Sequence, residues 1–307
     1  MRTGYITHPD CLKHDMGAHH PESPARLRAI DDQLIASGLL PFLQQHDAPL
    51  ATFEQLARVH KPHYIETVRS ASPATGLVYL DPDTAMNPFT LNAALRAAGA
   101  VVLATELVLE RKVENAFCAI RPPGHHAESG RAMGFCLFNN VAVGVAHAIE
   151  KFGLKRVAIA DFDVHHGNGT EEIFHDDPRV MLCSTFQHPF YPNCGAGSGN
   201  DHIINVPLPA GTDGAAFRKA VTERWLPALE RFQPEMLFIS AGFDAHWEDD
   251  MAMFRLKEAD YAWVTQQIKD VADKHAQGRI VSALEGGYEL HALGRSVAAH
   301  IKVLSGL

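Results

Sequence analysis

Residues 157–170 read VAIADFDVHHGNGT, and this stretch does most to decide the fold. Its first four residues are apolar, as expected of a buried strand. The next six residues carry two carboxylates and two imidazoles. Buried charge is costly unless it is paired or bound to a metal. A core strand that ends in such a cluster therefore predicts a functional site at its carboxyl end.

The same pattern recurs along the chain, where short apolar runs alternate with longer segments of helical period. Six runs predict strands: ENAFCAI (114–120), KRVAIADF (155–162), RVMLCSTF (179–186), HIINVPL (202–208), EMLFISAGF (235–243) and GRIVSALEGG (278–287). Most are nearly continuous in apolar residues, which is typical of strands covered on both faces. Five segments predict helices: 91–110, 138–153, 215–232, 258–275 and a last one from about Leu290 to Ile301.

This alternation predicts an α/β fold, with one three-layer αβα domain over residues 1–307 and a mainly parallel, doubly wound sheet. A chain of 307 residues is within the range of a single large domain of this class. Residues 1–90 are less regular and rich in Pro and His, so long functional loops are expected there.

Composition narrows the function classes. The formal net charge of −9 does not indicate a nucleic-acid surface. The five cysteines include no CxxC pair, so neither a disulfide framework nor a Cys-based zinc site is expected. We see no signal peptide and no apolar run that approaches the length of a membrane span, and so expect a cytoplasmic protein without a membrane partner. A homo-oligomer is compatible with the sequence, which contains no heptad pattern to predict one.

Four predicted strands run into unusual polar clusters. These are RPPGHHAESG (121–130), DFDVHHGNG (161–169), GFDAH (242–246) and EGGYE (285–289). In open parallel sheets the ligand crevice lies beyond the carboxyl ends of the strands. We therefore expect His, Asp and Tyr side chains from all four clusters to meet at one edge of the sheet.

The spacing of Asp163 and His165 points to a metal. Residues two apart in an extended segment face the same side, so an oxygen and a nitrogen can meet at one point. Asp244, at an equivalent strand end, could supply a third ligand. With water, this set would complete a four- or five-coordinate zinc site open for catalysis, although iron(II) or cobalt(II) would also fit. The alternative is that Asp163 and His165 merely cap a helix that begins near Gly169.

RPPGHHA, GFCLFNN, DFDVHHGNGT, SAGFDAH and EGGY, in this order, resemble the zinc-dependent deacetylase family. That family includes histone deacetylases, acetylpolyamine amidohydrolases and bacterial deacetylase-like amidohydrolases. The resemblance covers nearly the whole chain, including HDMGAHHPESPARL (14–27). Asn168 and the AGFDA motif resemble the class II branch of the family more than class I. It implies the arginase/deacetylase fold and a hydrolase that removes an acetyl or other short acyl group from an amine.

The resemblance also implies the metal and the oxyanion donor. Asp163, His165 and Asp244 would bind one zinc ion per chain, which matches the set argued from spacing. The hydroxyl of Tyr288 would donate to the developing oxyanion.

Two histidines would supply acid/base catalysis by resemblance, with Asp161 behind His125 and Asn168 behind His126. A carboxylate partner favours the imidazolium form more than a neutral amide does. We therefore prefer His126 as the general base and His125 as an electrostatic contributor.

Substrate-binding residues are implied in the same way. Phe135 and Tyr191 match the aromatic pair that lines a narrow tunnel, although they could be ordinary core aromatics. Gly134 would offer its carbonyl to the substrate amide. Met251 stands where polyamine-preferring relatives carry an acidic residue.

Two further pairs follow from the resemblance. Asp161 and Ser184 would contribute to a structural monovalent-cation site, usually filled by potassium. Glu22 and Arg26 would build the foot of the active site, or else form a surface pair.

Met251 favours an acylated lysine in a peptide or protein, or a lysine-like small amine, as the substrate. An acetylpolyamine amidohydrolase is the alternative, since a slipped loop could still present Glu248, Asp249 or Asp250. An arginase-like hydrolase with two manganese ions would need an Asp-x-Asp-x-x-Asp run, whereas GFDAHWEDD has the wrong spacing. A remote alternative is a scaffold that binds acylated ligands without hydrolysing them.

Overall fold

The computed structural model describes residues 3–307, and a central β-sheet organises them. In chain order the strands are β1 (Thr3–Thr7), β2 (Leu43–Asp47), β3 (Val78–Asp81), β4 (Thr84–Met86), β5 (Asn115–Cys118), β6 (Val157–Asp161), β7 (Val180–Gln187), β8 (Ile203–Leu208), β9 (Met236–Ala241) and β10 (Ile280–Leu284). Eight of them form one sheet in the order β2-β1-β5-β10-β9-β6-β7-β8, with neighbouring strands parallel. The remaining two, β3 and β4, form a separate antiparallel hairpin.

Helices cover both faces of this sheet. They are α1 (Ala25–Ala36), α2 (Phe53–Leu56), α3 (Pro62–Ala71), α4 (Thr90–Leu109), α5 (Asn140–Phe152), α6 (Asn168–Phe174), α7 (Gly214–Ala220), α8 (Leu226–Phe232), α9 (Glu258–His275) and α10 (Leu290–Ser305). Side chains of successive residues in a strand point to opposite faces of the sheet and pack into different apolar clusters. Ala116 and Cys118 of β5 belong to one apolar cluster, whereas Phe117 belongs to the other. The predicted three-layer α/β fold with a parallel sheet is confirmed.

The six predicted strands are present as β5–β10, but the expectation for residues 1–90 was incomplete. This region supplies β1 and β2, which pair in register from Thr3 opposite Leu43 to Thr7 opposite Asp47. The sequence of β2, LQQHD, is mostly exposed or half-buried at the sheet edge. An edge strand need not carry a continuous apolar run, which is why the pattern did not reveal it.

The predicted helix 215–232 is interrupted rather than regular. Between α7 and α8 the chain forms a π turn, Val221–Trp225, in which the amide of Leu226 donates to the carbonyl of Val221. Pro227 follows immediately and has no amide hydrogen to donate, so the regular pattern of α-helical hydrogen bonds cannot continue through it.

The helix α4 differs from the expectation that no apolar segment approaches the length of a membrane span. Its 20 residues are long and apolar enough to cross a bilayer by length and composition alone. In the fold, however, 67% of its apolar window is buried. It contributes Ala97, Val101 and Ala104 to the core beneath one face of the sheet, which is typical of a core helix.

The strand order brings the four polar clusters together. The strands β5, β10, β9 and β6 are consecutive neighbours in the sheet. All run in the same direction, so the loops that follow them leave from one edge. The expected convergence of clusters 121–130, 161–169, 242–246 and 285–289 follows from this order.

Candidate active site

Three buried side chains at the ends of β6 and β9 face one point. Nδ1 of His165 lies 3.1 Å from Oδ1 of Asp163 and 3.0 Å from Oδ2 of Asp244. The second oxygen of each carboxylate is held by the backbone. Asp163 accepts from the amide of Gly286 at 2.8 Å, and Asp244 from that of Val164 at 3.0 Å. Each carboxylate therefore keeps one oxygen directed at the imidazole.

The electrostatics of this trio suit a divalent cation. Burial, with the nearby charge of Asp163, raises the pKa of Asp244 to about 7. Burial disfavours imidazolium at His165, but the two carboxylates outweigh it and raise its pKa to about 10. A metal ion would replace this proton and relieve the repulsion between the carboxylates. Among residues 3–307, this trio is the one group of three or more potential metal ligands within mutual reach, at 4.8 Å or less.

The helix-cap alternative is wrong. The helix α6 begins at Asn168, and its N-cap is Gly167, which has no side-chain capping bond. Neither Asp163 nor His165 caps it.

Glycines let the backbone approach the trio. A Cβ atom at Gly286 would collide with carboxylate oxygens of Asp244 and Asp163, and one at Gly242 would collide with Asp163. The glycines of EGGY and AGFDA are therefore needed for close packing around the site.

The tandem histidines pair with the partners that were expected. Nδ1 of His125 lies 3.0 Å from Oδ2 of Asp161, and Nδ1 of His126 lies 2.8 Å from Oδ1 of Asn168. The amide nitrogen of Asn168 donates to Glu128 at 2.9 Å, which directs its oxygen towards His126. The arrangement places a proton on Nδ1 of His126 and leaves Nε2 as the basic atom.

The environments of the two imidazoles push their pKa values apart. Burial lowers the pKa of His126 well below its ordinary value, and the neighbouring His125 and His165 lower it further. Burial acts in the same direction on His125, but Asp163 and Asp161 outweigh it and raise its pKa well above the ordinary value. One imidazole is thus neutral and the other protonated near neutral pH.

A cavity of about 190 Å³ opens onto these groups. We call His126, His165 and Tyr288 its floor. Its wall is formed by Asp83, Gly134, Phe135, Phe190, Tyr191 and Met251. The four residues expected to bind substrate (Gly134, Phe135, Tyr191 and Met251) all belong to this wall.

Aromatic contacts join the wall to the floor. The Phe135 ring lies edge-on to Tyr288 at 5.9 Å, and the Tyr191 ring edge-on to His126 at 5.2 Å between centroids. Phe190 stacks on His165 at 5.5 Å. A narrow, mostly apolar passage therefore ends at polar groups, which suits an aliphatic chain that carries a polar end.

The β3–β4 hairpin fixes part of the wall. The amide of Gly134 donates to Asp83 at 3.1 Å and that of Phe135 donates to Thr84 at 3.0 Å. Gly134 and Phe135 have φ values of 57° and 69°, in the left-handed region that most residues avoid. A Cβ atom at Gly134 would also meet the ring of His126, so this turn requires glycine.

Beneath the Tyr288 loop lies a fully buried ionic cluster. Arg26 donates to the carbonyl of Gly287 at 2.6 Å and to Glu22 at 3.0 Å. Its guanidinium carbon lies 4.9 Å from the centre of the Tyr288 ring. Glu22 and Arg26 have no exposed surface, so the surface-pair alternative is wrong. Arg121, which sequence analysis did not single out, binds both oxygens of Glu22 at 2.5 and 2.6 Å.

Asp161 lies opposite a residue whose hydroxyl is unsatisfied. Asp161 pairs in register with Ser184 on β7. One Asp161 oxygen accepts from the amide of Asp163 at 3.1 Å. The buried Oγ of Ser184 has no hydrogen-bond partner within residues 3–307.

Comparisons with known proteins identify the family of this chain. A family model described as the histone deacetylase domain matches residues 20–304. The chain belongs to the histone deacetylase family. The expected family is therefore confirmed.

Relatives of this family member match along nearly all of its length. It is 37% identical over 301 residues to a "Probable deacetylase" of Archaeoglobus fulgidus, covering 94% of this chain and 82% of the relative. It is 36% identical over 330 residues to a "Histone deacetylase-like amidohydrolase" of Pseudomonas aeruginosa, covering 100% and 87%. The crystal structure of the HDA15 HD domain matches with a TM-score of 0.92 and 35% identity, covering 99% of this chain and 90% of that one. The chain is a hydrolase of the deacetylase/amidohydrolase kind.

Several residues at the site of this histone deacetylase family member were not predicted from the sequence. Asp83 and Phe190 line the cavity, and Glu285 accepts from the amides of Gly124 and His125 at 2.6 and 3.1 Å. Glu285 was visible as the first residue of EGGY. Asp83 carried no local signal, because its place depends on a contact with a turn about fifty residues later in the sequence.

Proposed function

We propose that this chain is a zinc-dependent amidohydrolase. It would remove an acetyl or other short acyl group from the amine of a lysine in a peptide or protein, or from a lysine-like small molecule. The observation that carries the proposal is the cavity, because its aromatic wall suits an aliphatic stem and its polar floor suits an amide. We further propose that residues 1–307 form one catalytic domain, which the continuous eight-stranded sheet and the family match support.

The proposed zinc ligands are Asp163, His165 and Asp244. They fit the ion because two carboxylate oxygens and one imidazole nitrogen, all buried, lie within 4.8 Å of one another. When bound, zinc would supply Lewis acidity towards the amide carbonyl and lower the pKa of a water molecule. An arginase-like pair of manganese ions has less support, since the described residues offer one such ligand group.

In the proposed mechanism His126 is the general base. Its neutral Nε2 removes a proton from the attacking water and later returns it to the leaving amine. The Nδ1 proton stays on His126 throughout and donates to the Asn168 oxygen. His125, held as imidazolium by Asp161, stabilises the negative charge that develops beside it.

The remaining roles position the substrate and stabilise the oxyanion. Tyr288, on the floor, would donate its hydroxyl to the carbonyl oxygen as negative charge develops there. Phe135 and Tyr191 would clasp the aliphatic stem. The Gly134 carbonyl would accept from the substrate amide and orient it.

We also propose a potassium ion near Asp161 and Ser184. The support is the unsatisfied Ser184 hydroxyl beside a buried carboxylate. The ion would act as a structural and electrostatic element behind His125. Titration of activity with KCl in a sodium-free and potassium-free buffer tests this assignment.

Lysine-like substrates are favoured over polyamines by the loop after β9. Met251 lines the cavity, whereas Glu248 pairs with Arg295 at 2.8 Å and Asp249 is turned towards the backbone of Tyr288. An acetylpolyamine amidohydrolase remains the second candidate, because Asp83 places a carboxylate in the wall that could hold a cationic tail.

A substrate panel tests the function. Zinc-loaded protein is given acetyl-lysine peptides, longer acyl-lysine peptides and N-acetylputrescine, and the released acid is quantified. We expect the highest kcat/KM with a short acyl-lysine peptide, and loss of activity with a hydroxamate chelator. A large preference for N-acetylputrescine would favour the second candidate. Binding of all substrates without acid release would indicate the non-catalytic scaffold.

A further inference from the structure

Asp249 is a buried carboxylate whose position differs from that of its neighbours. It is 4% exposed, whereas Glu248 and Asp250 on either side are exposed. Burying a carboxylate is unfavourable unless hydrogen bonds compensate it. Three backbone amides donate to Asp249: those of Tyr288 at 2.6 Å, Glu289 at 3.0 Å and Met251 at 3.0 Å.

These bonds join two parts of the cavity. Tyr288 belongs to the floor and Met251 to the wall. The loop that carries Tyr288 turns at Gly287, whose φ of 119° lies outside the range of ordinary side-chain-bearing residues. Arg26 fixes the carbonyl of Gly287 on one side, and Asp249 fixes the amides of Tyr288 and Glu289 on the other.

We propose that Asp249 is a positioning residue that sets the place of the Tyr288 hydroxyl and couples it to Met251. The inference rests on the proposed function for its catalytic consequence, but its structural content is independent of it. Asp249 is not among the residues that line the cavity, so it acts through the loop it holds.

Both oxygens of Asp249 are required. Oδ2 accepts from Tyr288 and Glu289, and Oδ1 accepts from Met251. Asparagine has nearly the same shape but only one accepting oxygen, so its NH₂ group must face an N–H donor on one side. Asp249→Asn also removes the negative charge that strengthens all three bonds, so it weakens the hold on both the Tyr288 loop and the Met251 segment while barely changing side-chain volume.

The kinetic effect should appear in kcat. A shift of about 1 Å in a reacting group can cost on the order of a hundredfold in rate. The stem contacts of Phe135 and Tyr191 do not involve Asp249, so KM should change little. We expect Asp249→Asn to lower kcat roughly tenfold or more and to change KM by less than about threefold.

Asp250→Asn is the matched control, since it makes the same chemical change at the next residue, which is exposed. Its kcat should stay within about twofold of wild type. Zinc content and Tm of each variant are measured alongside.

A double-mutant cycle with Tyr288→Phe tests the route of the effect. If Asp249 acts through the Tyr288 hydroxyl, Asp249→Asn should lower kcat by less than about twofold in the Tyr288→Phe background. A wild-type kcat in Asp249→Asn, or an equal loss in both backgrounds, would overturn the proposal.

Amide hydrogen exchange supplies a readout that needs no substrate. In the wild-type protein the amides of Tyr288 and Glu289 should exchange slowly. Asp249→Asn should accelerate exchange in the peptide over 286–290, and Asp250→Asn should not. Fast exchange of these two amides in the wild type would overturn the anchoring role even if Asp249→Asn failed to fold. An absence of hydrolysis with slow, Asp249-dependent exchange would instead overturn the proposed function alone.

Discussion

The floor and the wall of the cavity are built in different ways. The floor residues lie on loops that directly follow strands of the central sheet, and hydrogen bonds to neighbouring loops hold them. His165 follows β6, Tyr288 follows β10, and His126 lies on the loop after β5. The wall comes from loops that are distant in sequence, such as the β3–β4 hairpin and the segment that carries Met251. The sheet therefore sets the chemistry, and the loops set which substrate reaches it.

The largest expected effect on activity comes from substitution of a proposed zinc ligand. Asp244→Asn removes a negative charge from the trio while keeping its shape and the backbone bond to Val164. We expect loss of bound zinc and of detectable hydrolysis, measured by metal analysis and acid release. Asp250→Asn, an exposed change on the same loop, should keep both. Full activity with normal zinc in Asp244→Asn would contradict the assignment.

The two histidines should differ in their effect on rate. His126→Ala removes the proposed base and should lower kcat about a thousandfold, in the range of general acid–base catalysis. His125→Ala removes an electrostatic contributor and should cost less, since His126 remains. Both variants are compared at equal zinc content. A greater loss in His125→Ala would reverse the assignment of the base.

Tyr288→Phe tests the third floor residue. Loss of an oxyanion donor typically lowers kcat by about a hundredfold or more, and we expect zinc to be retained. Measurement of kcat, KM and metal content separates this effect from misfolding. Near-normal kcat would remove Tyr288 from the mechanism.

A wall substitution should alter preference more than rate. Met251→Glu places a carboxylate where a cationic tail would pass. It should raise the ratio of kcat/KM for N-acetylputrescine to kcat/KM for the acetyl-lysine peptide about tenfold, which corresponds to roughly 1.4 kcal/mol of transition-state selectivity. Met251→Gln, of similar size and uncharged, is the control. An equal shift in both variants would show that charge at this position does not select the substrate.

The smallest expected effect on the free energy of unfolding at neutral pH concerns His60, which supports the loop 121–130 that carries His125 and His126. Its Nδ1 lies 3.0 Å from the Glu128 carbonyl, and its Nε2 accepts from the Asn139 amide at 2.9 Å. Burial lowers its pKa from 6.5 to about 4. The unfolded state therefore binds a proton that the folded state does not, so stability falls as pH drops from about 6.5 towards 4.

Near pH 5 this linkage should cost wild type about 2 kcal/mol in the free energy of unfolding relative to pH 7. The acid-induced loss should be smaller in His60→Gln, as measured by denaturant titration at both pH values. His63→Gln, at an exposed position on α3, should behave like wild type. An unchanged pH dependence in His60→Gln would contradict the role of this buried imidazole.

Sequence could predict most of the floor because its residues obey local rules. The spacing of Asp163 and His165 and their place after an apolar run were enough to suggest a metal, and parallel strands bring their ends to one edge. The wall was only partly accessible, through the resemblance. Asp83 could not be predicted, since its position depends on the amide of Gly134 in a distant loop.

The burial of charged residues outside the motifs could not be predicted from the nearby sequence either. Arg121 binds Glu22 across 99 residues of sequence, and Asp249 binds the backbone about forty residues ahead of it. Whether a charged residue is buried depends on partners that only the folded chain supplies. The edge strand β2 was not predicted because most of its residues are exposed or half-buried, so it has no apolar run.

The most direct test of the account is a crystal structure of the zinc-loaded protein with diffraction data collected at the zinc absorption edge. We predict one anomalous peak per chain, bonded to an oxygen of Asp163, an oxygen of Asp244 and Nδ1 of His165, with room left for water. Two metal peaks bridged by carboxylates, or a single peak away from these three side chains, would contradict it.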